Sequence, residues 1–359
     1  MKKIYYITAV FATLFLVGCG DGIDLPGVNV ETDLNKIPLP DNNVNLEQVE
    51  LKPSTEPMLH EGLHTEEDFQ RIRDKKAAGE EPWVSAYQLL VESQFSQKTA
   101  DTYPTEWIKR GVSGDENYMN AARGATIVYQ QALRWKIEQD DEYAAKAVEN
   151  LNKWVQTCVG VTGNTNLSLA AGLYGYEFAI AGELLRDYEG WDRADFAAFQ
   201  NWLLKVFYPA NDDFLKRHHD TNALHYWANW CLCNIAAKMA IGIVTDRRDI
   251  YNEGIAHLQT GDTNGRLRRA IYHDYAPDYN FAQWQESGRD QGHTLMCVGL
   301  MGIICQLAWS QGDDFFAYDD NLFLRACEYA ACCNYTNETV PYTTYIWQKQ
   351  SQWGYPIPE

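Results

Sequence analysis

Positive charge is scarce in this chain. It carries 30 basic residues against 49 acidic ones, a net charge of −19. That balance excludes nucleic acid as a partner, because phosphate binding needs a clustered excess of Lys and Arg. An anionic substrate requires a local basic patch that overcomes the general field. Lys216-Arg217, Arg266, Arg268-Arg269 and Arg289 are the candidates for it. Metal-ligand spacing is missing too: no Cys-x-x-Cys pair and no His-x-x-Glu-His string occurs. No structural zinc site is therefore expected, and the proton chemistry read below needs no metal or cofactor. Strand signals are also few. From about Thr65 onward the chain is dominated by segments with a 3.6-residue period, or by continuously apolar segments of helix length.

The first residues speak to compartment. Lys2 and Lys3 precede an uncharged, mostly apolar run from Ile4 to Val17. The run is shorter than the roughly 20 residues of a membrane-spanning helix. It ends Leu16-Val17-Gly18-Cys19, which resembles a bacterial lipobox. Residues 1–18 are thus expected to be a lipoprotein signal peptide, with a lipid anchor at Cys19. The expected location is periplasmic or cell-surface, tethered to the outer membrane. Residues 19–57, rich in Asp, Asn, Pro and Val, read as a flexible tether. One folded domain is expected over 58–359, and residues 336–359 carry no clear closing helix. Seven further cysteines (Cys231, Cys233, Cys297, Cys305, Cys327, Cys332 and Cys333) sit in apolar helical stretches, as small buried residues do. The sequence alone does not pair them.

A rough repeat recurs about every 50 residues. Leading helices are expected at 117–137, 168–186, 222–244 and 289–310. Trailing ones are expected at 143–158, 193–207, 248–259 and 320–334. The leading members are apolar nearly all round, as buried helices are, and the trailing ones carry charge on one face. An inner ring of buried helices with an outer ring of amphipathic ones makes an all-α, incomplete (α/α) toroid built from helical hairpins.

Two strings break the apolar pattern of the leading helices. They are NALHYWANW (Asn222–Trp230) and ESGRDQGH (Glu286–His293). Read as helix, Asn222, His225 and Asn229 share one face, flanked by Tyr226 and Trp227. Glu286, Arg289, Asp290, His293 and Cys297 share another. A single His on such a helix is usually a satisfied core residue, and Glu286 with Arg289 can be a structural ion pair or a cap. Two such stripes suggest a shared cleft instead. Arg, Asn, His and Tyr suit proton abstraction beside a carboxylate. The carboxylate must first be neutralised where charge develops. A His or Tyr then takes the C5 proton of a uronate, and another returns one to the leaving oxygen.

HYWANW with the helix that follows and DRRDIYNEGIAHLQTG resembles the alginate lyase family of polysaccharide lyases. So do GRDQGHT running into SQGDDF, GLHTEEDFQRIRDKKAAGEEPW and ALRWKIEQDDEYAAKAVENLNKW. The resemblance covers roughly 58–345. It implies the incomplete toroid and β-elimination of a uronic-acid polymer such as alginate or glucuronan. Arg289 and Tyr226-Trp227 carry over directly. The family's Asn-His pair falls on Ala223-Leu224, so Asn222 and His225 are each one residue off, about 100° on a helix. Its tyrosine two turns after the Arg falls on Met296, with His293 one turn nearer. This is the pattern of a divergent branch.

The expected catalytic set is therefore His225, His293, Arg289, Tyr226 and Asn222. Trp227, Trp230, Asn229, Glu286, Asp290, Gln291 and Tyr279 are expected to bind substrate, the last from the loop YHDYAPDY. Arg289 and Asn222 would neutralise the carboxylate, while Glu286 and Asp290 orient Arg289 and His293. Two other readings stay open on sequence. A glycoside hydrolase on a similar toroid would use two carboxyls about 6.5–9.5 Å apart if inverting, from Glu286, Asp290 and Asp220. A glycan-binding surface lipoprotein would need no catalysis.

Overall fold

The computed structural model describes residues 55–335 and 340–345. The signal peptide, Cys19, nearly all of the tether and residues 346–359 lie outside the described residues.

Four helical hairpins follow one another. Tyr118–Glu138 (α3) turns back through Asp141–Thr157 (α4), and Leu167–Leu184 (α5) through Arg193–Val206 (α6) and Tyr208–Arg217 (α7). Ala228–Val244 (α8) pairs with Arg248–Thr260 (α9), and Gln291–Ser310 (α11) with Tyr318–Tyr335 (α12). A shorter pair, Glu66–Ala77 (α1) and Trp83–Glu92 (α2), packs on α3, and the four-residue Leu267–Ala270 (α10) follows α9. The leading members form the inner layer. α3 packs on α5, α5 on α8 and α8 on α11. Every residue of α8 is buried, as is all of α5 except Leu167 and Glu177. The trailing helices bury one face, as their charged patterns require. This is the (α/α) toroid.

Close helix approach depends on glycine. A Cβ on Gly172 of α5 would stand 2.5 Å from the Cys233 sulfur and 3.0 Å from the Asn234 nitrogen of α8. Gly172→Ala should force these helices apart and cost about 1–3 kcal/mol. The check is a fall in thermal midpoint; an unchanged midpoint would show that the contact has slack.

Two small sheets depart from the all-helical expectation. Trp107–Arg110 (β1) pairs in parallel with Gly160–Gly163 (β2), and Ile271–Asp274 (β3) pairs antiparallel with Ala282–Trp284 (β4). With three or four residues a strand, their periodicity is too brief to read.

The inner helices start at one end of the molecule. Asn234 near the start of α8 donates to the Ser168 carbonyl in the first turn of α5 (3.2 Å), and Asn229 of α8 lies 3.7 Å from the Met296 sulfur in α11. At the opposite end a strap crosses the helix C-termini. Gln311, just after α11, bonds the Leu59 amide and the Leu59 and Glu61 carbonyls. His60 meets Asp246 at 2.8 Å, and Arg248 holds the Glu56 and Pro57 carbonyls. Packing thus includes Glu56 and Pro57, the last two residues of the expected tether. The strap covers the C-terminal end, so the end where α5, α8 and α11 begin is left for a cleft.

Candidate active site

Neither polar string is a continuous helix. α8 begins at Ala228, six residues later than expected. Asn222 to Trp227 form a turn in which the Asn222 side chain accepts from Leu224 N–H (2.9 Å) and its carbonyl accepts from His225 N–H (3.1 Å). An Asn that bonds its own backbone two residues on favours a turn over a helix. The 100° objection to moving family roles by one residue applied to a helix and does not hold for this turn. In the second string, Gln285–Gly288 is a 3-10 turn, Asp290 is fully extended, and α11 starts at Gln291. Asp290 is the N-cap, its carboxylate accepting from His293 N–H at 2.8 Å. The expected single stripe is therefore broken between Glu286 and His293.

The two strings nevertheless meet, through side chains rather than helix faces. Gln285 accepts the Ala228 N–H (3.0 Å) and Glu286 the Asn229 N–H (2.8 Å). Both are orphan donors at the start of α8. The other Glu286 oxygen accepts from Arg289 at 3.1 Å, and the Cys297 thiol lies 3.2 Å from the first. Glu286 does cap a helix, but that of the other string. Arg289 then stacks over the Trp227 ring, 5.3 Å from its centre. Trp227 directly follows His225-Tyr226, so the clasp sets Arg289 beside that turn.

Burial sorts the expected residues. Asn229 and Glu286 are 0% exposed and Trp230 2%, so none offers a surface to substrate. Trp227 is 6% exposed, with Arg289 against it and Tyr345 nearby, so it offers little surface for the substrate binding expected of it. Gln291 is engaged by Asn334 at 2.5 Å. Tyr226 is 6% exposed, its ring packed on Trp230, Phe214 and His225 and its phenol bonded to Thr165. Burial raises that phenol, and the Thr165 bond opposes it. Tyr279, half exposed, sits on the loop between β3 and β4. Asn222, His225, Arg289, Asp290 and His293 keep partial solvent access.

The histidines differ in their commitments. His293 Nδ1 lies 2.6 Å from Asp290 Oδ2, which fixes the ring and places the neutral form's proton on Nδ1. Burial raises the Asp290 carboxyl, but the His293 bonds and Arg289 outweigh it and hold the group below its ordinary value. The His225 imidazole has no hydrogen-bond partner among the described residues, and burial pushes its pKa down. His218 and His219, which were not singled out from sequence, are structural. His218 is buried on Phe214 against Cys231. His219 is tied to Ser168 (3.0 Å) and to the Thr165 backbone.

Four residues of the expected basic patch are engaged elsewhere. Lys216 is held by Asp212 (2.8 Å), Arg217 by Asp213 (2.5 Å), Arg268 by Asp319, and Arg269 by the Asp262 carbonyl. Lys216 and Arg217 line a cleft of about 350 Å³ with His218, Thr221, Ala223, His257 and Asp262, so it adjoins the His225 turn through Ala223. That cleft receives the C-terminal ends of α7 and α9, which disfavour anions. The basic group at the candidate site is instead Arg289, while the N-termini of α8 and α11 are capped by the Glu286 and Asp290 carboxylates. Among the described residues no group of three or more His, Cys, Asp or Glu is placed to hold a metal ion.

Residues with no obvious sequence signal complete the site's support. Asn264, in an Asn-Gly pair that reads as a turn, donates to the Leu224 and Tyr226 carbonyls at 3.2 and 2.9 Å. Gln285 and Thr165 also lay outside the two strings.

A family model described as Alginate lyase matches residues 72–338. No curated protein matches the chain at a significant level. Among solved structures, a single-residue variant of alginate lyase A1-III complexed with tetrasaccharide aligns with a TM-score of 0.58 at 13% identity, covering 74% of this chain and 75% of that one. Alginate lyase A1-III from Sphingomonas species A1 aligns at 0.54, also at 13% identity, covering 77% and 79%. At such identity the likeness speaks to the fold.

Proposed function

The chain belongs to the alginate lyase family of polysaccharide lyases, and we propose that it cleaves an alginate- or glucuronan-like polyuronate by β-elimination at the clasp of the two strings. The observation that carries this reading is the joint held by Glu286, which places Arg289 over Trp227 and beside the His225 turn. Arg289 takes the uronate carboxylate and stabilises the charge that develops on it, with Asn222 beside it in the turn. His225, whose pKa burial lowers, removes the C5 proton. The electron pair becomes the C4–C5 double bond as the C4–O bond breaks. His293 would protonate the leaving oxygen through Nε2, a buried atom that substrate entry must uncover, with the Asp290 carboxylate on Nδ1 balancing the charge the ring carries when protonated. Glu286 has no exposed surface and is tied to two N–H or guanidinium donors, so it cannot form a hydrolase's carboxyl pair with Asp290. The lipobox-like Val17-Gly18-Cys19 supports an outer-membrane lipid anchor for this activity.

The test is incubation with alginate, glucuronan, pectate and glycosaminoglycans, following ultraviolet absorbance. Growth of the unsaturated-uronate band on one or more polymers is expected. Reducing ends without absorbance would point to hydrolysis, and binding without turnover to a glycan-binding protein.

A further inference from the structure

We propose that Asn264 is a positioning residue that fixes the His225-Tyr226 turn from beneath, an inference that rests on the proposed lyase reading of that turn. The turn has little of its own to hold it. Its internal bonds involve Asn222, Leu224 and His225 backbone, and the His225 ring has no hydrogen-bond partner among the described residues. A base whose ring makes no hydrogen bond depends on the precision of its backbone.

Asn264 supplies the precision. It is 2% exposed, and its amide nitrogen donates to the carbonyls on either side of His225, those of Leu224 (3.2 Å) and Tyr226 (2.9 Å). Two anchored peptide groups flank one catalytic side chain and leave it little freedom to swing. The amide oxygen accepts from the Tyr345 hydroxyl at 3.3 Å, and the two carbonyls fix which end of the amide is the donor. Tyr345 in turn bonds Gln285, the residue that caps Ala228. The turn, the start of α8 and the 3-10 turn carrying Glu286 thus share one buried polar network.

The neighbouring glycine makes this approach feasible. A Cβ on Gly265 would stand 2.5 Å from Cys231 Cβ and 3.0 Å from Ile235 Cδ1, so only glycine lets this segment lie directly on α8. Asn264 is thereby set against the first turn of the helix that His225 precedes.

The experiment compares wild type with Asn264→Ala, Asn264→Asp and Tyr345→Phe on whichever polyuronate the wild type cleaves. Asn264→Asp keeps the volume but turns the donor into an acceptor facing two carbonyls. Both Asn264 variants should lose about 30-fold or more in kcat, with KM changed less than about threefold. Tyr345→Phe, which leaves the donor in place, should lose about three- to tenfold in kcat. It carries the test if the Asn264 variants fail to fold. A second readout is the NMR titration of His225, which should move from its depressed position toward the ordinary histidine value in the Asn264 variants. Unchanged kcat, or Asn264→Asp behaving as wild type, would overturn the proposal, as would an unmoved titration. If the wild type cleaves no polyuronate, the lyase reading fails, and the His225 titration still decides whether Asn264 holds the turn.

Discussion

Arg289→Ala should remove nearly all turnover, with kcat/KM falling by about 1,000-fold, the upper end for losing one donor aimed at developing negative charge. Four other basic residues of the expected patch are committed elsewhere. Lys216, Arg217 and Arg268 are each tied to a carboxylate, and Arg269 to a backbone carbonyl. Arg289→Lys should rescue little, because an ammonium lacks the planar fork that both stacks on Trp227 and meets a carboxylate. His225→Gln belongs to the same experiment. Losing a positioned base is worth about 100- to 10,000-fold, while the fold should tolerate the change because the ring is only half-buried.

The pH profile separates base from support. Burial lowers the His225 pKa from the ordinary 6.5. The neutral, proton-accepting form therefore persists below the pH at which a free imidazole is half charged. The acid limb of kcat/KM should have its midpoint below 6.5, and the limb should vanish in His225→Gln. A limb at or above 6.5, or one that survives the substitution, would move the base elsewhere.

Much of this was legible in the sequence, and the failures have a common cause. The inner and outer helices follow from apolar residues all round against apolar residues on one face, a signal repeated over many turns. Helix starts were misplaced at the polar strings because side chains there compete with the backbone. Asn222 bonds Leu224 N–H, and Asp290 bonds His293 N–H. Each replaces a helical hydrogen bond that periodicity assumes. The two strings meet, though not by the means that spacing implies. Sequence spacing put groups on shared faces, whereas the contact runs from Glu286 to the first turn of α8. Asn264 was illegible because Asn-Gly has the same appearance whether it makes a turn or supports one. The burial of Trp230 and Asn229 was illegible because a helix buried on every side has no periodicity to show which face meets solvent.

Glu286→Ala tests the clasp through stability, and should cost about 3–5 kcal/mol, the usual result of removing one partner from a buried ion pair. The loss combines three effects of one side chain that is 0% exposed. Arg289, with its side chain 16% exposed, is left facing Asp290 only at 3.9 Å. The Asn229 N–H at the start of α8 loses its acceptor, and so does the Cys297 thiol. The thermal midpoint should fall by on the order of 10 °C. Glu286→Gln is the discriminating companion. Its amide oxygen can still accept from Asn229, so about 1–3 kcal/mol should be lost. Activity should fall much further than stability, because Arg289 is no longer held against Trp227. Adding Arg289→Met to Glu286→Gln should cost less than the two single losses combined, since the second change removes the charge that the first left unpaired. Strict additivity would mean that the pair seen at 3.1 Å does not couple the two strings in solution.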